Sequence, residues 1–277
     1  MRENKMESSD ALPLIRPKVR VRGIALPVEH GSWGFLFEPL VAALAVAPSV
    51  GGLFAAVVFI GAFLMRQPLK IFLGNWQAKN NLPQTRLARN FVLLYAGIAL
   101  AGFSGCWLSA RLENFIPALI VLPVGVFQIY SDAQRKSREL LAEIAGAIAI
   151  SSSSAVIALA GGWTYSKALA LWAIFVLRLI PSVLYVRNRL RLEKGKSFSF
   201  NNPLVANLLG LFCIFGLALQ NLIPKLTVVA FFVLTTRAAL GLSRFRRPTK
   251  AMKIGVLEVI FGILTALSVI IGFYLQI

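Results

Sequence analysis

Three glutamates stand inside apolar stretches of this 277-residue chain, Glu38, Glu143 and Glu258, each with glycine at helical spacing. At about 100° per residue, Glu38 shares a helix face with Gly31 and Gly34, and Glu258 with Gly255 and Gly262. Glu143 falls on one side with Glu139, Gly146 and Ser153. Arginines stand in similar positions: Arg178 aligns with Ser182, Tyr185 and Arg189, and Arg237 with Gly241 and Arg244. An ionisable group at the centre of a membrane helix costs about 2.5–3.5 kcal/mol, so a set of them calls for a reason. Carboxylates there can orient or deprotonate an acceptor, and guanidinium groups can hold an anion. His30 is the single histidine, beside Glu29 at the head of the first apolar stretch, and is the fourth catalytic candidate. The competing reading is structural: Glu–Arg pairs that only join helices, and a histidine that caps a helix or meets headgroups.

Basic residues gather where the apolar runs end. "RQPLK" offers Arg66 and Lys70, "DAQRKSR" offers Arg135 and Arg138, and "YVRNRLR" offers Arg187, Arg189 and Arg191 beside Tyr185. Forked arginine donors suit phosphate oxygens, so these residues, with Arg178 and Arg237, are the substrate-binding candidates. The stretch 66–81 has no acidic residue, so no carboxylate cluster for magnesium is present there; no cofactor is evident and no metal ligands are assigned. Positive-inside anchoring accounts for the same charges without a ligand.

The elements that position these groups are membrane helices. Hydrophobic residues make up 57% of the chain and charged residues 14%, a balance that places it in a bilayer. Apolar runs predict nine spans, near 31–48, 51–66, 91–110, 115–131, 139–160, 167–186, 203–221, 223–242 and 254–276. The 29 Lys and Arg residues outnumber the 11 Asp and Glu, giving a net charge of +18, and they concentrate in alternate loops. That alternation predicts a multi-pass protein of the bacterial inner (cytoplasmic) membrane, with the N-terminus cytoplasmic and the C-terminus outside. Nucleic-acid binding is excluded, because no basic-aromatic module accompanies the charge.

Residues 1–25 read as a basic cytoplasmic arm, disordered or held on anionic lipid and too polar for a cleaved signal peptide; residues 26–277 read as one transmembrane helical domain. Cys106 and Cys213 lie in apolar runs as buried thiols, and Ser151 to Ser154 as packing residues. The fold class is thus all-α and polytopic. With Glu38 and Arg178 roughly 12–14 Å from their cytoplasmic ends, the polar faces assemble into a cavity open to the cytoplasm, rimmed by loops 2–3 and 6–7.

The stretches "PVEHGSWGFLFEPL", "RQPLK", "YSDAQRKSRELLAEIAG", "YVRNRLR" and "PTKAMKIGVLEVIFG" resemble the YwiC-like family of bacterial integral membrane proteins. That resemblance implies a membrane protein and brings no reaction with it. A looser one, to the UbiA superfamily of intramembrane prenyltransferases, implies nine helices around a cavity with catalytic motifs in loops 2–3 and 6–7. That superfamily holds magnesium and a prenyl diphosphate with two Asp-rich motifs, whereas Arg66 and Lys70, and Arg187, Arg189 and Arg191, stand in their places here.

The function expected is a prenyltransferase-like enzyme or binder acting on a phosphate-bearing isoprenoid or other anionic amphiphile, with membrane lipids as its surroundings. A small-ion transporter and a non-catalytic assembly factor are the alternatives.

Overall fold

A computed structural model describes residues 21–27, 30–78 and 82–277, apart from the side chain of His30. Most of the expected basic arm, Glu29, the His30 side chain, Lys79 and Asn80 lie outside the described residues. Among the described residues all regular structure is helical.

The helices are α1 (Val21–Ala25), α2 (His30–Val46), α3 (Val50–Gln77), α4 (Pro83–Ser109), α5 (Ile116–Ala133), α6 (Leu140–Ser151), α7 (Ser153–Ala160), α8 (Tyr165–Glu193), α9 (Asn201–Leu219), α10 (Leu226–Leu242) and α11 (Ala251–Leu275), with a 3₁₀ turn over Leu112–Phe115. Seven helical segments among the described residues are long and apolar enough to cross a membrane: α3, α4, the 3₁₀ turn with α5, α6 with α7, α8, α9 and α11. Gly31–Val46 and Leu226–Leu242 are apolar but shorter. The surface agrees with a lipid surround: Phe212 of α9 is 76% exposed and Leu108 of α4 is 87% exposed, a burden that water would penalise.

Helix ends follow local chemistry. Ser49 caps α3 by accepting from the Gly52 amide at 2.9 Å, and Pro83 opens α4 where a missing N–H costs nothing. Small residues then let neighbouring helices close up. A methyl group on Gly102 of α4 would meet the backbone of Phe54 and Val58 at 2.9 Å, and one on Gly61 of α3 would meet the backbone at Ala99 at 2.9 Å.

Four features depart from the sequence reading. α1 belongs to the ordered part of the molecule: Ile24 and Ala25 are buried, the Tyr95 hydroxyl donates to the Ala25 carbonyl at 3.1 Å, and Gln67 donates to that of Gly23 at 3.1 Å. α3 and α8 run well beyond their apolar cores, so Arg66, Lys70, Arg187, Arg189 and Arg191 are helical residues and not loop residues. Hydropathy marks where lipid ends; Arg, Lys, Gln and Leu carry the helix further, past Pro68 in α3 and up to the turn at Gly195 after α8.

The fifth expected span divides at Ser152 into α6 and α7. There the hydroxyls of Ser151, Ser152 and Ser154 bond back to the carbonyls of Ile148, Ala149 and Ser151 at 2.7–3.0 Å, competition that bends a helix. Cys106 is buried as expected, but Cys213 is exposed on the apolar outer face.

Candidate functional site

Helices α2, α3, α5, α6, α8 and α11 enclose a cavity of about 680 Å³. One wall is apolar, supplied by α3 and α5 through Val58, Ala62, Met65, Val121, Leu122 and Val126. Charged and polar groups lie at two levels of the cavity. Glu143 and Arg187, with Arg66 and Gln128, form the first, near the α8 end that leads to Leu190. Glu38, Arg178, Ser182 and Glu258 form the second. Nine residues of α8 separate Arg187 from Arg178, a depth of about 13 Å at 1.5 Å per residue.

At the first level each charge is paired. Arg66 reaches Asp132 with two bonds, Nε to Oδ2 at 2.7 Å and Nη2 to Oδ1 at 3.2 Å. With its amide oxygen turned toward Arg66, Gln128 accepts from the same guanidinium at 3.1 Å. Arg187 Nη1 donates to Glu143 at 2.9 Å and to the Arg138 carbonyl at 2.7 Å. Lys70 sits one helical turn from Arg66 and donates to the Ser137 hydroxyl at 2.7 Å, with no carboxylate paired to it among the described residues.

At the second level, Arg178 Nε lies 3.1 Å from Glu38 Oε2, close enough for an ion pair but without the alignment of a hydrogen bond. Its Nη2 donates to the Glu258 carbonyl at 2.8 Å. The Glu258 carboxylate takes hydrogen bonds from Ser182 Oγ and Arg237 Nη1. Arg237 is held in turn over the rings of Tyr185 and Phe261, at 4.2 and 4.7 Å. The glycine stripes expected beside the glutamates do a specific task here. Glu38 leans across from α2 onto Gly262 of α11, where a methyl group would occupy the position of its carboxylate.

The structure therefore brings together Glu38, Glu143, Glu258, Arg66, Arg178 and Arg187 around one space. Lys70 stands beside that group, and Arg237 braces Glu258 from behind the wall. Tyr185 and Arg189 do not line the cavity. The stripe 178, 182, 185, 189 is a packing seam, and its outer half turns to α10, where Arg189 bonds the carbonyls of Gly241 and Arg247 and pairs with Glu193 at 2.8 Å. Arg191 is committed to Ser197, bonding its carbonyl at 2.7 Å. Arg135 takes a left-handed turn conformation on the surface, and Arg138 contributes its carbonyl. His30 opens α2, and its side chain lies outside the described residues.

Asp132 was missed by the sequence reading, though it is 2% exposed and answers Arg66. The signal was available: Gln128 and Asp132 are four residues apart, on one face of a helix that ends there. No group of three or more His, Cys, Asp or Glu able to hold a metal ion occurs among the described residues.

Neither the curated proteins nor the solved structures compared with this chain gave a match. The family described as YwiC-like protein does match, over residues 26–158, which spans α2 to α7 and so carries Glu38, Arg66, Asp132 and Glu143. Over that segment, just under half of its length, the chain is similar to the YwiC-like family, and its long apolar helices are those of a membrane protein.

Proposed function

We propose that the cavity binds an amphipathic, phosphate-bearing lipid of the isoprenoid class, tail against α3 and α5 and phosphate at the level of Arg66 and Arg187. One observation carries this reading: a large, mainly apolar chamber with guanidinium groups at two levels. Arg187 is 36% exposed and its partner Glu143 33%, so a phosphate can reach and share that guanidinium, with Lys70 supplying a further cation. The isoprenoid identity follows from the looser UbiA-like likeness and remains a proposal of chemistry by analogy.

In this reading α2 and α10 complete a nine-span bundle in the bacterial inner membrane, and the Arg187 end faces the cytoplasm, as the alternation of basic segments requires. The reaction that such a chamber serves is prenyl transfer. The acceptor's nucleophilic atom bonds to the prenyl carbon, the bond from that carbon to the phosphate oxygen breaks, the phosphate leaves with the electron pair, and Arg66, Arg187 and Lys70 stabilise it in place of an Asp-held magnesium. Glu38 and Glu143 are the carboxylates positioned to orient an acceptor and take its proton.

The test is thermal stability of the detergent-purified protein with farnesyl diphosphate, with magnesium and with EDTA. Stabilisation that survives EDTA and is lost in Arg187→Gln supports direct cationic capture. A magnesium requirement, or equal stabilisation of the variant, overturns it. Small-ion transport is the second reading, favoured by the buried acid–base cluster of Glu38, Arg178, Glu258 and Arg237. Ion uptake by proteoliposomes without added lipid phosphate would establish that reading instead.

A further inference from the structure

The connection between α5 and α6 is fastened by the same cations that the phosphate reading uses. Its shape is set locally. Arg135 takes a left-handed conformation, the Lys136 amide donates to the Ser131 carbonyl at 2.8 Å, and the Glu139 amide donates to that of Lys136 at 2.9 Å. Three side chains then tie it to the bundle. Arg66 bonds Asp132, in the last turn of α5, at 2.7 and 3.2 Å; Lys70 donates to the Ser137 hydroxyl and Arg187 to the Arg138 carbonyl, each at 2.7 Å. The acceptors all fall within residues 132–138, and the donors come from α3 and α8.

A carboxylate, a hydroxyl and a carbonyl set against two guanidinium groups and an ammonium present oxygens to them as a phosphate would. Arg66 and Arg187 also line the cavity, so both are shared between this segment and the chamber. Asp132 contributes the only formal negative charge among the three acceptors and is 2% exposed, while Arg66 is 25% exposed. Positive charge is in surplus around them. Glu139 and Glu143 pair with Lys136 and Arg187, whereas Lys70, Arg135 and Arg138 have no carboxylate paired to them among the described residues. An arriving diphosphate meets this surplus with more negative charge than Asp132 carries. Unlike the Ser137 hydroxyl and the Arg138 carbonyl, it attracts the cations as an ion.

We infer that residues 132–138 are an internal competitor for the phosphate site: they hold Arg66, Lys70 and Arg187 as a phosphate would, and yield them when one binds. This rests on the reading of that level as a phosphate site, and it adds a regulation of it. Capture of the ligand loosens the α5–α6 connection, and Asp132, which opposes capture, lowers the affinity.

The experiment uses the full chain in detergent. Hydrogen exchange of the Lys136 and Glu139 amides is followed by mass spectrometry with and without farnesyl diphosphate, and binding of the diphosphate is measured in parallel. The diphosphate is expected to speed exchange in this segment by about tenfold, a change of the size that losing one such tie gives. Asp132→Asn, which keeps the shape and removes the charge, is expected to show faster exchange without ligand and about tenfold tighter binding of farnesyl diphosphate.

Binding of the diphosphate with exchange in the segment unchanged or slowed overturns the competition and leaves the phosphate reading standing. That comparison on the wild-type protein decides even where Asp132→Asn fails to fold. Weaker binding in a folded Asp132→Asn overturns the competition too, making Asp132 a positioning residue for Arg66. Binding that appears only in Asp132→Asn sustains it. No binding by either protein overturns the phosphate reading and this inference together.

Discussion

The two charged levels of this cavity hold the same chemistry at different exposure to solvent. Arg187 with Glu143 is about one-third exposed on both partners, whereas Arg178 with Glu38 is 1% and 7% exposed. A half-solvated pair is worth about 0.2–1 kcal/mol and can be exchanged for a ligand's phosphate. A buried pair is held by the cost of breaking it, since loss of one partner leaves the other charged and dry. An ion pair's role is therefore set by its access to water and to ligands, more than by the residues that compose it.

Substitutions that break this contrast are ranked by depth. Arg178→Met leaves Glu38 buried without its cation and strips the Glu258 carbonyl of its donor; a loss of about 3–5 kcal/mol is expected, read as a large fall in thermal midpoint. Stability within about 1 kcal/mol of wild type would mean the deep pair is not buried as described.

Gly262→Ala comes next. Its methyl group would overlap the Glu38 carboxylate, and overpacking of this kind costs about 1–3 kcal/mol, so a smaller drop in midpoint is expected. Gly255→Ala is its control, because a methyl group there meets nothing within 4 Å.

Arg187→Gln reverses the pattern: stability within about 1 kcal/mol of wild type, but at least about tenfold weaker binding of farnesyl diphosphate, with wild-type binding itself weakening as salt is raised. Arg191→Ala has the smallest expected effect, unchanged phosphate binding, since its guanidinium is directed to Ser197. Impaired binding in Arg191→Ala with normal binding in Arg187→Gln would invert the assignment of the first level.

Much of this was legible in the sequence because membrane helices announce themselves by composition. Helical periodicity correctly placed Glu38 and Glu258 beside glycines, and their assembly with Arg178 follows from the cost of lone charges in lipid. What periodicity could not show was which neighbour each face meets. Arg178 and Arg189 share a stripe, yet one lines the chamber and the other ties α8 to α10, because a helix in a bundle has more than one partner. Loop boundaries failed for a different reason: hydropathy changes at the bilayer surface, whereas backbone hydrogen bonding in α3 and α8 has no cause to stop there. Asp132 escaped notice as one acid among surface arginines, its burial being a property of the fold and not of its neighbours in the chain.

The way Glu38 rests on Gly262 also bears on how this molecule can vary. Far apart in the chain, the two residues share one small volume, so neither position has an independent vocabulary. A larger residue on α11 is admissible only with a shorter or repositioned one on α2, and a change at either alone meets a steric or electrostatic barrier. In mutational libraries the two should behave as a single two-letter character, with rescue confined to paired substitutions.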